Sequence, residues 1–115
     1  MQIDVELALI DASADRLTSF QSELPSGFYV EDRSDNGWGL VIRSSQKLPS
    51  DFSDAIDIFL EPLNSMVEAI RSHKGILRVG VFYNTVNCTM RLNSSHLITA
   101  FGLILEISIY PSSDE

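Results

Sequence analysis

The sequence predicts a small α+β domain in which helices cover one face of a mostly antiparallel sheet. Segments that alternate apolar and polar residues lie near both ends of the chain, as half-buried strands do. Between them, residues 50–73 repeat their apolar side chains every three or four positions, which is typical of an amphipathic helix. The predicted order β-α-β-β-α-β-β-α-β favours two layers, one sheet and one set of helices.

The first strand and helix are predicted from the first 25 residues. In residues 2–10, Ile3, Val5 and Leu7 point to one face, and Asp4 and Glu6 point to the other. Residues 11–24 then space their apolar side chains as a short helix does, and a proline follows them. The strand is the first element of the predicted sheet layer, and the helix is the first element of the predicted helix layer.

A hairpin is predicted around Asn36-Gly37. Residues 28–31 form the outgoing strand, and the tightest hairpin turn requires positive φ at both of its central residues, which Asn and Gly tolerate. Trp38 then alternates with Leu40 and Ile42 in the returning strand, which places its ring in the core.

The longest helix is predicted over residues 50–73. One stripe of this helix is apolar and carries Phe52, Ile56, Phe59, Leu63, Met66, Val67 and Ile70. Pro62 removes a helical hydrogen bond near the middle, so the sequence predicts a kink at residues 58–62 or two consecutive helices.

The opposite side of this helix is acidic. On a helical wheel it carries Asp51, Asp54, Asp57, Glu61 and Glu68. A second acidic group lies in the preceding loop and contains Glu31, Asp32 and Asp35. Because an exposed helix face is not a cleft that separates carboxylate pKa values, these residues favour solvation or partner binding over acid–base catalysis.

The C-terminal third is predicted to contain a hairpin of residues 77–83 and 86–92, a short helix over residues 96–101, and a closing strand over residues 103–110. The outward positions of the strands carry charges of both signs that can pair across the sheet, namely Asp4, Glu6, Arg78, Arg91 and Glu106. Phe82 and Tyr110 share these faces and could mark a dimer surface, so monomer and homodimer both stay open.

Length and composition limit the class of protein. The 115 residues fit a single domain, residues 1–110, with a polar tail at residues 111–115. No apolar run approaches the roughly 20 residues of a membrane-spanning helix, so no membrane partner is expected. Cys88 is the only cysteine, which excludes an internal disulfide and favours a reducing cytoplasm.

The chain is strongly acidic. Eight Lys and Arg against sixteen Asp and Glu give a net charge of −8, which opposes binding to nucleic acid. Such a charge can serve solubility alone, or it can steer a basic protein toward this one. Both interpretations stay open.

The C-terminal segments GILRVGVFYNTVNCTMRL, SSHLITAFG and LILEISIYP, together with Trp38 ahead of them, carry a resemblance to a known family. Across about residues 37–110 the chain resembles the bacterial domain of unknown function 4279. The resemblance implies a compact α+β fold and no particular activity.

The sequence predicts no catalytic site, no metal site and no cofactor. His73 and His96 are isolated in the sequence, and Cys88 lies on the apolar side of its predicted strand. The loop at residues 32–37 resembles a calcium loop but lacks the closing glutamate.

The leading hypothesis is therefore a non-catalytic interaction protein, an immunity-type inhibitor that binds and blocks a basic toxin such as a nuclease. The alternative is a small-molecule-binding or regulatory domain with a pocket between the sheet and the long helix, near Phe59, Pro62, Trp38 and Tyr83. A third hypothesis is an enzyme of unrecognised type.

Overall fold

The computed structural model describes residues 2–83, 90–92 and 95–111. The strands of this part of the chain are β1 Gln2–Leu9, β2 Phe28–Arg33, β3 Gly39–Ser44, β4 Gly75–Tyr83 and β5 Leu103–Pro111. The α-helices are α1 Leu17–Glu23, α2 Phe52–Leu60, α3 Val67–Arg71 and α4 Ser95–Ala100, and shorter 3-10 segments occupy Ala14–Arg16, Ser34–Asn36 and Glu61–Met66. The prediction of a small α+β domain is confirmed.

The five strands form one mixed sheet in the order β2-β3-β1-β4-β5. All neighbours are antiparallel except β4 and β5, which run parallel because α4 lies in the connection between them. β1 pairs with β4 along its whole length, but it pairs with β3 only from Glu6 onward. Pro111 belongs to β5 rather than to the predicted tail, and residues 112–115 lie outside the described part.

The predicted hairpin of residues 77–83 and 86–92 is wrong. One side of β4 pairs with β1 and the other with β5, so a returning strand has no free edge of β4 to join. Met90 and Leu92 are not in a strand, and residues 84–89 lie outside the described part. The sequence pattern shows alternation but not which strand is the neighbour, and here the parallel crossover to β5 takes that place.

The core lies between the sheet and the helices. Leu7, Leu40 and Leu77 from three adjacent strands have no exposed surface, and the same is true of Phe59 on α2 and Phe101 after α4. Burying each such side chain contributes roughly 1.5–3 kcal/mol before the loss of chain entropy. The apolar residues at alternate positions of the strands therefore determine which face of the sheet packs against the helices.

The long helix is divided, as Pro62 predicts. α2 ends at Leu60, a 3-10 segment with the proline near its start follows, and α3 resumes at Val67. The predicted apolar stripe stays on the core side, since Phe52, Phe59 and Ile70 are all buried. The break therefore leaves the apolar stripe directed at the core.

The turn between β2 and β3 differs from the prediction. Residues 34–36 form a 3-10 turn, and only Gly37 has positive φ, at 83°, with no positive φ at any non-glycine residue described. Asn36 therefore does not occupy the left-handed region. The loop is longer than a two-residue turn because pairing resumes at Gly39, opposite Arg33.

Candidate functional site

The candidate site is the acidic helical surface, defined as the five carboxylates predicted from residues 50–73. It comprises Asp51, Asp54, Asp57, Glu61 and Glu68. Four of them are exposed, and Asp57 is half-buried. None of the five forms an ion pair with any residue that the structure describes. Their negative charge is therefore not neutralised within this part of the chain.

Local helix chemistry accounts for the first of these residues. The Asp51 carboxylate accepts a hydrogen bond of 2.9 Å from the backbone N–H of Asp54 and so caps α2. A carboxylate at this position also interacts favourably with the positive end of the helix dipole. Asp51 thus has a structural role that explains its presence without a partner.

The next three carboxylates form a line along α2 and its C-cap residue, Glu61. Asp57 follows Asp54 by three residues and precedes Glu61 by four, so neighbouring side chains of the line lie on the same face of the helix. Like charges at this spacing repel one another by about 0.2–0.5 kcal/mol per pair. Asp54 lies in the first turn of α2, where the helix dipole favours a negative charge, whereas Asp57 and Glu61 lie farther along the helix and gain nothing from its N-terminus.

Asp57 differs from its neighbours in its surroundings. Its Oδ1 atom is buried and accepts no hydrogen bond from any described residue. A buried acceptor without a donor costs free energy, so replacing Asp57 would change the stability of the fold together with the charge of the surface. Variants that test the charge of the surface are therefore better placed at Asp54 and Glu61.

Glu68 is separated from this line by the 3-10 segment. Its side chain is exposed, as are those of Asp54 and Glu61, and Ile70, two residues later, is buried in the same core as Phe59. Glu68 therefore stays on the outer side of the helical region, farther along the chain than the line of Asp54, Asp57 and Glu61.

The second predicted acidic group lies in β2 and in the turn that follows it. Glu31 lies on the opposite face of the sheet, where its carboxylate pairs with Arg33 at 2.6 Å. Asp32 accepts hydrogen bonds from the hydroxyl and the backbone N–H of Ser34, and these bonds lower its pKa. Asp35 is exposed in the adjoining turn. Of the predicted loop residues, Glu31 and Asp32 are thus engaged locally.

The sheet face away from the helices carries an ion cluster centred on Glu6. Its carboxylate pairs with Arg78 at 2.5 Å, Arg33 at 3.4 Å and Arg43 at 3.7 Å. Arg78 also donates to Glu106 across β4 and β5, at 3.2 Å. The predicted pairing of charges across strands is thus confirmed for Glu6, Arg78 and Glu106, whereas Arg91 lies outside the strands.

The roles of Arg33 and Arg43 in this cluster were missed from the sequence. Burial alone would lower the pKa of Arg33, but its hydrogen bond to Glu31 and the nearby charge of Glu6 raise the pKa overall. The alternation of residues in the strands could have indicated both roles. Glu31 and Arg33 are two residues apart and so share a face of β2, and Arg43 lies directly opposite Glu6 in the neighbouring strand. The charges of this face are balanced, in contrast to the helical surface.

Trp38 belongs to this ion cluster and not to the core. Its ring lies under the Arg78 guanidinium, with 3.8 Å between Cζ and the ring centroid, and its side chain is half-buried. Pairing of β3 begins only at Gly39, whose φ is 67°, so the alternation with Leu40 does not extend back to the tryptophan. The core prediction for Trp38 is therefore wrong.

The alternative pocket between sheet and helix is not formed by the residues predicted for it. Phe59 has no exposed surface, Pro62 is exposed, and Trp38 lies on the other side of the sheet. A cavity of about 550 Å³ lies elsewhere, beside the part of β1 that β3 does not cover. Arg43 lines it, and the Nε of this arginine is buried without a hydrogen-bond partner among the described residues.

The remaining candidate residues have structural surroundings or lie outside the described ranges. His73 contacts Asp11 at 3.2 Å and packs near the Phe20 ring, whereas His96 is exposed. Cys88 lies outside the residues described. No group of three or more His, Cys, Asp or Glu with the spacing of a metal site occurs in residues 2–83, 90–92 and 95–111.

In the same ranges, no helix has the length and apolar character needed to cross a membrane. No family model, no curated protein and no solved structure matches the chain. The resemblance to domain of unknown function 4279 therefore stays a prediction from the sequence segments that carry it.

Proposed function

We propose that the chain is a non-catalytic interaction protein of the immunity type, which binds and blocks a basic toxin such as a nuclease in the cytoplasm. The observation that carries this proposal is the unneutralised charge of Asp54, Asp57 and Glu61. These carboxylates repel one another along one face of α2 and have no described cation beside them.

The contrast between the two sides of the molecule supports this proposal. On the open sheet face, Glu6, Glu31 and Glu106 each pair with arginine, so that face offers little net charge to a partner. On the helical side the carboxylates are free to meet the cationic cleft of another protein. Such complementarity mainly accelerates association, and salt weakens it.

The proposal is tested by capturing partners from native lysate with tagged protein at low and high salt. The variant Asp54→Asn/Glu61→Gln removes two charges of the line and spares the half-buried Asp57. The matched control Asp15→Asn/Glu23→Gln removes the same charge from the region of α1. We expect wild type and control to capture the same basic protein at low salt, and the α2 variant to lose it.

The captured protein is then purified and assayed for toxin or nuclease activity with and without each variant. Inhibition by wild type and control, at least tenfold weaker for the α2 variant, is the expected result for an electrostatically steered complex. Equal capture by all three proteins, or a captured protein that keeps full activity, would show that this surface is only solvated.

A second candidate function is binding of a small anionic ligand in the cavity beside β1. Its volume of about 550 Å³ lies in the range of known ligand pockets, roughly 300–1,000 Å³. Arg43 and Lys47 line it together with Asp4, and Arg43 has a buried donor to spare. Titration calorimetry with phosphate and citrate, on wild type and Arg43→Gln, tests this candidate, and absence of heat from wild type argues against it.

A further inference from the structure

The outer edge strand β5 is apolar and has no neighbour on its far side among the described strands. Of the six large hydrophobic side chains that are exposed in the described residues, four belong to β5. They are Ile104 at 68% exposure, Ile107 at 41%, Ile109 at 49% and Tyr110 at 47%. A long edge of this kind offers a row of backbone N–H and C=O groups to another strand.

The opposite edge of the sheet is protected in the way that edge strands of monomers are. β2 ends in Glu31, Asp32 and Arg33, and charges on an edge strand discourage pairing with another chain. β5 has a single charge, Glu106, and its carboxylate already accepts a hydrogen bond from Arg78. The two edge strands therefore differ in the number of charged side chains, which discourage the addition of another strand.

We propose that β5 pairs antiparallel with β5 of a second copy of this chain, about a two-fold axis through Ile107, so that one sheet continues through both copies. A two-fold axis makes the interface self-complementary, so the same residues serve on each side. Ile107 is the middle residue of Leu103–Pro111, so this register pairs the whole strand.

Side-chain chemistry supports this register over its neighbour. An axis through Glu106 would set two carboxylates directly opposite each other, which is destabilising. With the axis at Ile107, Glu106 faces Ser108 of the second copy instead. Tyr110 then faces Ile104 of the second copy, an aromatic and β-branched pair that stabilises antiparallel sheets.

The arrangement also explains the aromatic side chains at the end of the sheet. Tyr110 stacks on Phe82, with ring centroids 4.9 Å apart and an angle of 16° between the planes. This contact holds the exposed ring of Tyr110 in one place, beside the edge where the second copy adds. The entropy that such an ordered side chain would lose on association is thereby reduced.

A second copy fits this edge because β5 is complementary to itself in this register, with Tyr110 facing Ile104 and Glu106 facing Ser108. A chain of net charge −8 repels its own copies, so the facing surfaces must be nearly neutral. β5 meets that condition, because its only carboxylate is paired with Arg78. Added salt then screens the remaining repulsion and strengthens the dimer, the opposite of its effect on a complex with a basic partner.

Sedimentation equilibrium of wild type, Ile107→Lys and Ile58→Lys tests the proposal. Ile58 is also an exposed isoleucine, at 47%, but it lies on α2, so it is the matched control for adding a lysine. We expect dimers for wild type and Ile58→Lys and monomers for Ile107→Lys, with all three folded by circular dichroism. A monomeric wild type at low and high salt, or a dimeric Ile107→Lys, would overturn the interface.

Disulfide cross-linking tests the register. Residues at the axis of an antiparallel pair have Cα atoms about 4.5–5.5 Å apart, a separation that a disulfide spans. In a Cys88→Ser background, Ile107→Cys should form a covalent dimer on mild oxidation, whereas Ile58→Cys should not. Failure of Ile107→Cys to cross-link in a sample that sediments as a dimer would reject this pairing.

Discussion

The guanidinium of Arg78 lies over the ring of Trp38, with 3.8 Å between Cζ and the ring centroid, and the same guanidinium donates to Glu6 at 2.5 Å. One cation therefore links the turn before β3 to the two central strands β1 and β4. Because Arg43 and Arg33 also approach Glu6, a single carboxylate balances several positive charges on this face. Around Glu6 the open face is thus held by ionic contacts and not by an apolar layer.

Replacement of Glu6 is expected to destabilise the fold. Glu6→Gln keeps the size of the side chain but removes the charge that three arginines share, and the side chain is only 15% exposed. We expect a loss of about 2 kcal/mol in the free energy of unfolding, below the 3–5 kcal/mol of a fully buried pair because water reaches this face. Urea unfolding at neutral pH measures the loss.

Glu106→Gln is the matched control for this experiment. Glu106 also bonds Arg78, but it is 43% exposed, so its removal should cost only about 0.5 kcal/mol, as for surface ion pairs. Equal losses for the two variants would mean that Glu6 is not the centre of the cluster.

The contact between Trp38 and Arg78 is expected to be stabilising in itself. A double-mutant cycle of Trp38→Leu and Arg78→Gln should give a coupling free energy of about 1 kcal/mol, the size of a partly exposed cation–π contact. Trp38→Phe keeps an aromatic face and should retain part of this coupling. A coupling near zero would show that the tryptophan only fills space beside the strand.

The sequence predicted the elements better than their neighbours. Period-two alternation located β1, β4 and β5, and the spacing of apolar residues located α2 with its break at Pro62. Alternation does not encode pairing, however, so the parallel contact of β4 with β5 could not be read from it. That contact, by placing β5 at the edge, creates the surface proposed for dimerisation.

The sequence predicted which acidic residues are exposed on the helix, but it did not predict the position of every residue assigned to a loop or to the end of a strand. The exposure of Asp54 and Glu61 on the outer side of the helix follows from regular helical spacing. Glu31 was assigned to a loop, but it lies in β2 on the face away from the helices, where it pairs with Arg33. Trp38 was misplaced because alternation was extended one residue beyond the start of β3.

Substitutions at Gly39 and Gly37 distinguish the free-energy cost of backbone strain from that of a steric clash. Both have positive φ, at 67° and 83°, but a Cβ at Gly39 would lie 2.1 Å from the carbonyl oxygen of Leu9, whereas a Cβ at Gly37 would meet nothing within 4 Å. We expect Gly37→Ala to cost about 1–2 kcal/mol from backbone strain alone.

Gly39→Ala adds the clash with β1 to that strain and should cost more than about 4 kcal/mol, the range of severe substitutions. Thermal unfolding of the two variants makes the comparison. Similar melting temperatures would contradict the close approach of β3 to the end of β1.

Asp11 is expected to make the stability depend on pH in the acid range. Its carboxylate accepts a hydrogen bond from the backbone N–H of Lys74 at 2.9 Å and contacts His73. The Lys74 bond is the main reason that the pKa of Asp11 lies below its ordinary value of 3.8, since burial acts in the other direction. The folded state therefore favours the charged carboxylate, and its contribution is complete above the unfolded pKa and disappears as the pH falls through the folded one.

The variant Asp11→Asn should accordingly lose stability near pH 5, and its difference from wild type should shrink as the pH falls through the folded pKa of Asp11. We expect a difference of about 1 kcal/mol near pH 5, less than for a buried charged hydrogen bond because the side chain is 42% exposed. Urea unfolding at a series of pH values measures it. Glu23→Gln, which removes an exposed carboxylate without a described hydrogen bond, is the control. A difference that does not shrink at all as the pH falls would mean that Asp11 acts through its shape and not through its charge.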